Sequence, residues 1–300
     1  MKLVTFSTKD DPTPRAGLFE SPSPEAKACG IDFELEEVMW ADLPGAPQKL
    51  PTMCPTALDV IVYGQPKLNR YVTRRCYRKG DYQLHAPLPN PPRIFAIGLN
   101  YREHAIETKA KFPDFPVVFF KLGTAINAPG APIVLPKNSQ EPDYEAELAF
   151  VIGKGGYRIQ AEDAMQHVFG YTILNDVSAR DIQRSTSQWS MAKSFPTFCP
   201  MGPAIVTADE IADPHALAIS TTIGGEVLQN STTAELIFKI PRLIEYLSSI
   251  APLLPGDVVS TGTPSGVGMG RTPQRWLKAG ETVTVKIEGL GELSNPIVAE

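Results

Sequence analysis

Apolar residues along this chain fall in short bursts separated by proline, glycine and polar residues, a signature of strands and turns more than of long helices. In the first third, Leu3–Phe6 and a stretch around Phe33–Val38 read as strands. Beyond Arg93 the pattern sharpens. Arg93–Gly98 reads as a buried strand, the polar stretch Arg102–Lys111 as helical, and Pro116–Lys121 and Ile133–Pro136 as short strands. Glu145–Ile152 alternates as a strand does, Phe169–Leu174 is another, and Ser178–Arg184 begins a helix. Leu236, Ile240, Leu243, Ile244 and Leu247 recur at helical spacing and predict a helix over Leu236–Ile250. Val258–Thr261 and Thr282–Ile287 close the chain as strands. Many short strands with few helices predict an α+β or mostly-β fold and not a doubly wound sheet.

The segment Ala86–Pro92 holds four prolines in seven residues and reads as an extended, semi-rigid linker. It divides the chain into a small N-terminal domain (1–85), the linker (86–92) and a catalytic domain (93–300). Composition agrees with a globular protein rich in turns: 43% hydrophobic residues with 29 prolines, about twice the average proline usage. A net charge of −5 without a block of like charge argues against nucleic acid and anionic membrane as partners. No apolar run reaches the 18 residues or so of a transmembrane helix, and the first residues lack a signal-peptide core. Cys29, Cys54, Cys76 and Cys199 are widely spaced and read as free thiols in a reducing compartment. A cytoplasmic location is expected, with a mitochondrial one left open.

Five stretches could carry chemistry. In the strand around Glu145–Ile152, residues two apart share a face. Glu145 and Glu147 therefore point one way with Ala149 and Val151, and Tyr144, Ala146, Leu148 and Phe150 point the other way into a core. A face that turns from carboxylates to aliphatics suits glutamates at the mouth of a buried site. Parallel carboxylates repel unless a cation or shared proton intervenes, and hard oxygen ligands suit Mg²⁺. An exposed edge strand is the competing reading. Next, Asp176, Arg180 and Gln183 fall at i, i+4 and i+7, on one helical face. They could supply a third carboxylate ligand, a guanidinium for a substrate carboxylate and an amide beside it; an ordinary helix-start Asp with an ion pair would look the same.

His104 and Glu107, three apart, would touch on a helix, and a carboxylate that orients a histidine suits it to act as a base. A solvent-exposed pair on a weakly anchored polar helix is the alternative. Leu254–Gly268 runs from a strand into a Gly/Ser/Thr loop whose amides could hold an anion, or which simply turns. It lacks the Gly-Lys-Ser/Thr ending of a phosphate-binding loop. Lys193 lies in an apolar, proline-rich stretch, where a buried ammonium needs a carboxylate or anionic ligand unless it snorkels to solvent.

In this order, GLNYREHAIE (98–107), DYEAELAFVIGKGG (143–156), GYTILNDVSARDIQ (170–183), KSFPTFCPMGPAIVT (193–207) and LLPGDVVSTGTPSGVG (253–268) resemble the fumarylacetoacetate hydrolase superfamily, in its shorter domain-containing-protein members. The resemblance runs from about Arg93 to Pro296. It implies a mixed β-sheet roll of the C-terminal type found in that family, with a small N-terminal α/β domain, and usually a homodimer. It also implies a divalent ion, typically Mg²⁺ with Mn²⁺ or Ca²⁺ as alternatives, on Glu145, Glu147 and Asp176. His104 and Glu107 match a catalytic dyad on a lid helix that orders when substrate binds. Arg180, Gln183, Lys193 and Thr263 match positions that line the substrate site, Lys193 also with a catalytic role, and Lys121 is counted with the substrate-binding positions.

The implied reaction is metal-dependent C–C hydrolysis or lysis of a 2-oxo acid or acylpyruvate-type 1,3-dicarbonyl. Oxaloacetate decarboxylation and keto–enol tautomerisation are the alternatives, and a non-catalytic binder on the same fold is a further one. Three departures from the family pattern place the substrate rim in question: Pro196 where an Asp is common, Leu122-Gly123 after Lys121, and Gly224-Gly225-Glu226 for a frequent Asn-Gly-Glu.

Overall fold

A computed structural model describes residues 1–20, 34–37, 56–63, 76–78 and 80–300. Its main element is a twelve-stranded mixed sheet. From one edge the path of ten strands runs Cys76–Tyr77, Glu34–Glu37, Arg15–Glu20, Lys2–Thr8, Cys199–Thr207, Val168–Asn175, Ala146–Ile152, Val258–Ser260, Ile94–Gly98 and Val117–Lys121; off it, Tyr82–Leu84 pairs with Lys2–Thr8 and Ile126–Asn127 with Cys199–Thr207. A second sheet of five strands is ordered Glu226–Thr232, Ala218–Ile223, Thr282–Ile287, Gly291–Ala299 and Ile133–Leu135. Short helices are few, as the α+β expectation requires. Among the described residues no helix is long and apolar enough to cross a membrane.

The strand Ala146–Ile152 is buried along its whole length, which explains why both of its faces are apolar beyond the glutamates. Ala146, Leu148, Phe150 and Ile152 join one core cluster; Ala149 and Val151 join another with Leu3, Ala16 and Val258. Tyr144 packs elsewhere, with Phe198, Ile223 and Leu228. The helix Ile240–Ile250 buries Ile240, Leu243, Ile244 and Leu247 against the first cluster. It starts later than its apolar spacing predicts because Pro241 occupies its first turn, where its missing N–H costs nothing; Leu236 instead bridges to Tyr101.

Among the strands with no counterpart in the sequence expectations are Cys199–Thr207, Ala218–Ile223, Glu226–Thr232 and Gly291–Ala299. Pro200, Gly202 and Pro203 interrupt the alternation of the first, and Pro296 that of the last. The middle two form a hairpin rich in Ser, Thr and Asn around the turn Gly224-Gly225, both at positive φ. Lys2–Thr8 pairs antiparallel with Cys199–Thr207, so the sheet continues across the proline-dense segment. That segment is packed, with Ala86 and Leu88 buried and Thr5 Oγ1 donating to Pro87 O at 2.9 Å. Of the expected strand around Phe33–Val38 only Glu34–Glu37 is described. Cys29 and Cys54 lie outside the described residues, and Cys199 is a buried free thiol.

Candidate active site

Strand pairing assembles the carboxylates. Ala146–Ile152 runs antiparallel to Val168–Asn175 with Ala146 opposite Asn175. Just beyond that register, the Glu145 amide donates to Asn175 Oδ1 at 3.0 Å and the Asp176 amide to Glu145 O at 2.9 Å. The ends of two neighbouring strands thus hold Glu145, Glu147 and Asp176 together, with one carboxylate oxygen from each lying within 4.8 Å of the others. All three residues are buried.

Asp176 does not belong to the following helix, contrary to the i, i+4, i+7 reading. Ser178–Ala179 is drawn into a two-stranded ladder with Pro142–Asp143, and the helix spans Arg180–Ser185. Arg180 nevertheless reaches Asp143 Oδ2 through Nε (2.8 Å), Glu145 Oε1 through Nη2 (2.6 Å) and Gln183 Oε1 through Nη1 (2.9 Å). Lys193 Nζ donates to Glu145 Oε2 (2.5 Å) and Asp176 Oδ2 (2.8 Å), the carboxylates its burial demands. Its Nζ also lies 5.0 Å from the centre of the Phe119 ring.

Lys121 does not line the cavity. Its fully buried Nζ donates to Asp176 Oδ1 at 2.5 Å and to the Lys193 carbonyl, so it supports a candidate metal ligand from behind.

The electrostatics separate these groups. Burial raises the pKa of Glu145, but the Arg180 and Lys193 charges overcome it and hold the carboxyl far below its usual range. Burial, then the Asp176 and Glu145 charges, push Glu147 well above its usual value. Among the described residues no cation stands within ion-pair distance of Glu147; Ser260 Oγ and the Gly262 amide (2.9 Å) both donate to its Oε2, leaving Oε1 without a donor. Burial lowers Lys193, and the Asp176 and Glu145 carboxylates more than compensate, holding it above an ordinary lysine. Four buried carboxylates, counting Asp143, thus face three buried cations, Lys121, Arg180 and Lys193. An oxygen-only donor set with one carboxylate in excess fits a hard divalent cation. Glu145, Glu147 and Asp176 are the residues that could hold it.

His104 and Glu107 meet on a helix, Arg102–Glu107, shorter than the expected Arg102–Lys111 because Lys109 turns into the left-handed region at φ 55°. His104 Nδ1 pairs with Glu107 Oε1 at 2.9 Å, which leaves Nε2 for a substrate. The helix is anchored, not weakly held: His104 and Ala105 are buried, and Glu107 Oε2 accepts from the Gly266 amide at 2.9 Å.

That amide belongs to the glycine-rich loop. Its N–H groups do bind anions, and those anions are the protein's own carboxylates. Gly262 serves Glu147, Gly266 serves Glu107, and Gly268 and Met269 serve Asp143 at 2.7 and 3.1 Å. Asp143 was missed as a site residue, although its period-2 spacing from Glu145 and Glu147 was a usable signal.

A cavity of about 360 Å³ opens over this cluster, a size suited to a small molecule. His104, Glu145, Glu147, Arg180, Gln183 and Lys193 line it together with Thr263, which accepts from Gln229 Nε2 at 2.8 Å. Phe119, Trp189 and Ile97 supply apolar wall. None of the residues that depart from the family pattern lines this cavity. Pro196 borders a separate depression with Phe195 and Glu300, Leu122 is exposed, and Gly224-Gly225 is a hairpin turn. The rim questioned on sequence grounds is therefore built from other residues.

The family model for the fumarylacetoacetate (FAA) hydrolase C-terminal domain matches residues 93–298. A Xenopus laevis protein named as a mitochondrial oxaloacetate tautomerase is 43% identical over 300 residues, covering 99% of this chain and 90% of that one. A Bacillus subtilis oxaloacetate tautomerase is 45% identical over 225 residues, 74% of this chain and 75% of its own. Among solved structures, a 5-carboxymethyl-2-hydroxymuconate delta-isomerase from Mycobacterium smegmatis superposes with a TM-score of 0.78 at 35% identity, covering all of both chains. A fumarylacetoacetate hydrolase from Exiguobacterium antarcticum gives 0.81 at 32%, again over all of both chains.

Proposed function

The chain belongs to the fumarylacetoacetate hydrolase family, and from that premise we propose that it is a divalent-metal-dependent oxaloacetate tautomerase. Hydrolysis was the first expectation from sequence and tautomerisation an alternative; the names of the relatives favour the alternative. The observation that carries the reading is a single cavity lined by an oriented histidine and by Glu145 and Glu147, two of the three clustered carboxylates.

Glu145, Glu147 and Asp176 would hold a divalent ion, Mg²⁺ by family resemblance, which would supply Lewis-acid stabilisation of the negative charge of the enolate. The chain's own groups do the rest. Glu107 fixes the imidazole with Nδ1 protonated, so Nε2 is the base that takes a proton from C3 of the keto form and returns it in the reverse direction. As that C–H bond breaks, its electron pair moves into the C2–C3 bond, the C2=O π pair moves onto oxygen, and that oxygen takes up the proton Nε2 received. Arg180 and Gln183 orient the adjoining carboxylate, and the Lys193 ammonium favours negative charge building up beside it. The apolar wall of Phe119 and Trp189 limits water, which tautomerisation does not consume. The same groups would serve hydrolysis only if a water were held against a second carbonyl.

The proposal carries a small 2-oxo acid as substrate and a homodimer as the assembly. It also carries a cytoplasmic location, with mitochondria the other compartment to test. The decisive assay follows the ultraviolet absorbance of the oxaloacetate enol as it relaxes to the keto form. Protein loaded with Mg²⁺ should accelerate relaxation well above the buffer rate, and chelator should abolish the effect. Equal rates with and without protein would overturn the reading.

A further inference from the structure

Three cations face the cavity: two are buried among the clustered carboxylates, and the third is half exposed. Lys193 is divided between Glu145 and Asp176, and Arg180 among Asp143, Glu145 and Gln183. Arg184 lies one turn further along the same short helix and lines the same cavity. Its Nη2 pairs with Glu141, while Nε and Nη1 make no hydrogen bond within the described residues, and the side chain is 49% exposed.

We infer that Arg184 is a specificity-determining residue that receives the distal carboxylate of the substrate and selects four-carbon dicarboxylates over monocarboxylates of the same length. The inference rests on the tautomerase reading for which end of the substrate sits at the three-carboxylate cluster. Residues four apart share a helical face, and a rise of 1.5 Å per residue sets Arg184 about 6 Å along the axis from Arg180. With C–C bonds of about 1.5 Å, an extended four-carbon diacid separates its carboxyl carbons by roughly 4 Å, within reach of two guanidinium groups so spaced. Trp189 and Phe119 supply apolar wall in the same cavity. A guanidinium with N–H donors beyond its one ion pair can donate to a carboxylate. Glu141 need not be stranded, because a solvent-exposed ion pair is weak enough for Arg184 to be shared.

The test is calorimetric titration of the Mg²⁺-loaded protein with malate and with 2-hydroxybutanoate, which differ by a carboxylate against a methyl group at C4. Wild type should prefer malate by about tenfold or more, the effect of one charge-assisted hydrogen bond. Arg184→Gln should bring the two probes within about twofold, and Arg184→Lys should retain part of the preference. Thermal melts confirm that each variant is folded. Equal binding of the probes to wild type, no binding of malate, or an undiminished preference in Arg184→Gln would each overturn the assignment. Because the readout is binding, a wild type that fails to tautomerise oxaloacetate would refute the proposed function while this titration still decides the role of Arg184.

Discussion

Glu145 and Glu147 share a strand face, yet their replacement by glutamine should move the stability of the metal-free protein in opposite directions. Glu145→Gln removes the charge from two buried hydrogen bonds, to Arg180 at 2.6 Å and Lys193 at 2.5 Å. Stripping one partner from a buried ion pair costs about 3–5 kcal/mol. Here Arg180 keeps Asp143, Lys193 keeps Asp176, and the glutamine oxygen still accepts one bond, which reduces the cost to roughly 2–3 kcal/mol. At about 2 °C per kcal/mol for a chain of this length, Tm should fall by about 4–6 °C.

Glu147→Gln keeps an acceptor for Ser260 and Gly262 and removes a charge that faces two other carboxylates without a cationic partner. Its Tm should hold or rise by a degree or two, roughly 1 kcal/mol at most. The pH dependence follows from the same environment. Because burial and its neighbours raise Glu147 above its usual 4.5, the folded protein holds a proton that the unfolded chain releases, and stability falls as pH rises above that value. Glu147→Gln removes this slope. Glu145, despite burial, is lowered by Arg180 and Lys193, so its stabilisation is present above 4.5 and is lost as pH falls toward its folded value. The gap between the variants should therefore widen from pH 5 to pH 8 in melts with chelator. A Glu147→Gln variant that loses as much Tm as Glu145→Gln across that range would refute the assignment of charge partners. Added Mg²⁺ should raise the Tm of wild type by mass action and of neither variant to the same extent.

Lys121→Met should destabilise the metal-free protein by about 3–5 kcal/mol in denaturant melts, because Asp176 loses one of two buried ammonium partners; a loss under 1 kcal/mol would contradict its supporting role. Gly266→Ala should lower both Tm and tautomerase activity. Gly266 has φ +96°, and a Cβ there would lie 2.2 Å from the Leu228 carbonyl oxygen, displacing the amide that holds Glu107. Wild-type activity in that variant would mean Glu107 needs no such anchor.

Local periodicity made the chemical groups legible in sequence, and long-range pairing decided what they do. Glu145 and Glu147 could be read from a period of two, and His104 with Glu107 from a spacing of three, because a strand or helix alone brings such residues together. Asp176, Arg180 and Gln183 also converge, but not through the helix face their spacing suggested, since Ser178–Ala179 pairs with Pro142–Asp143 instead. Lys121 is 55 residues from Asp176, and nothing local marks it as that carboxylate's buried partner. Read alone, the carboxylates look mutually repulsive until a metal arrives. In the structure three protein cations already relieve most of that repulsion and leave Glu147 as the exception. The strand Cys199–Thr207 was hidden because Pro200, Gly202 and Pro203 erase its alternation, although it joins the N-terminal strands to the central sheet. Hydrolysis and tautomerisation draw on the same histidine and carboxylates, which is why residue types could not rank them.

The central claim is that His104 moves the C3 proton of oxaloacetate. Proton NMR in deuterated buffer reads that step directly as loss of the C3 methylene signal. Wild-type protein with Mg²⁺ should accelerate deuterium incorporation above the buffer rate, and His104→Ala should lose about 10²–10⁴-fold of the catalysed rate. Exchange no faster than in buffer, or exchange by His104→Ala equal to wild type, would contradict the account.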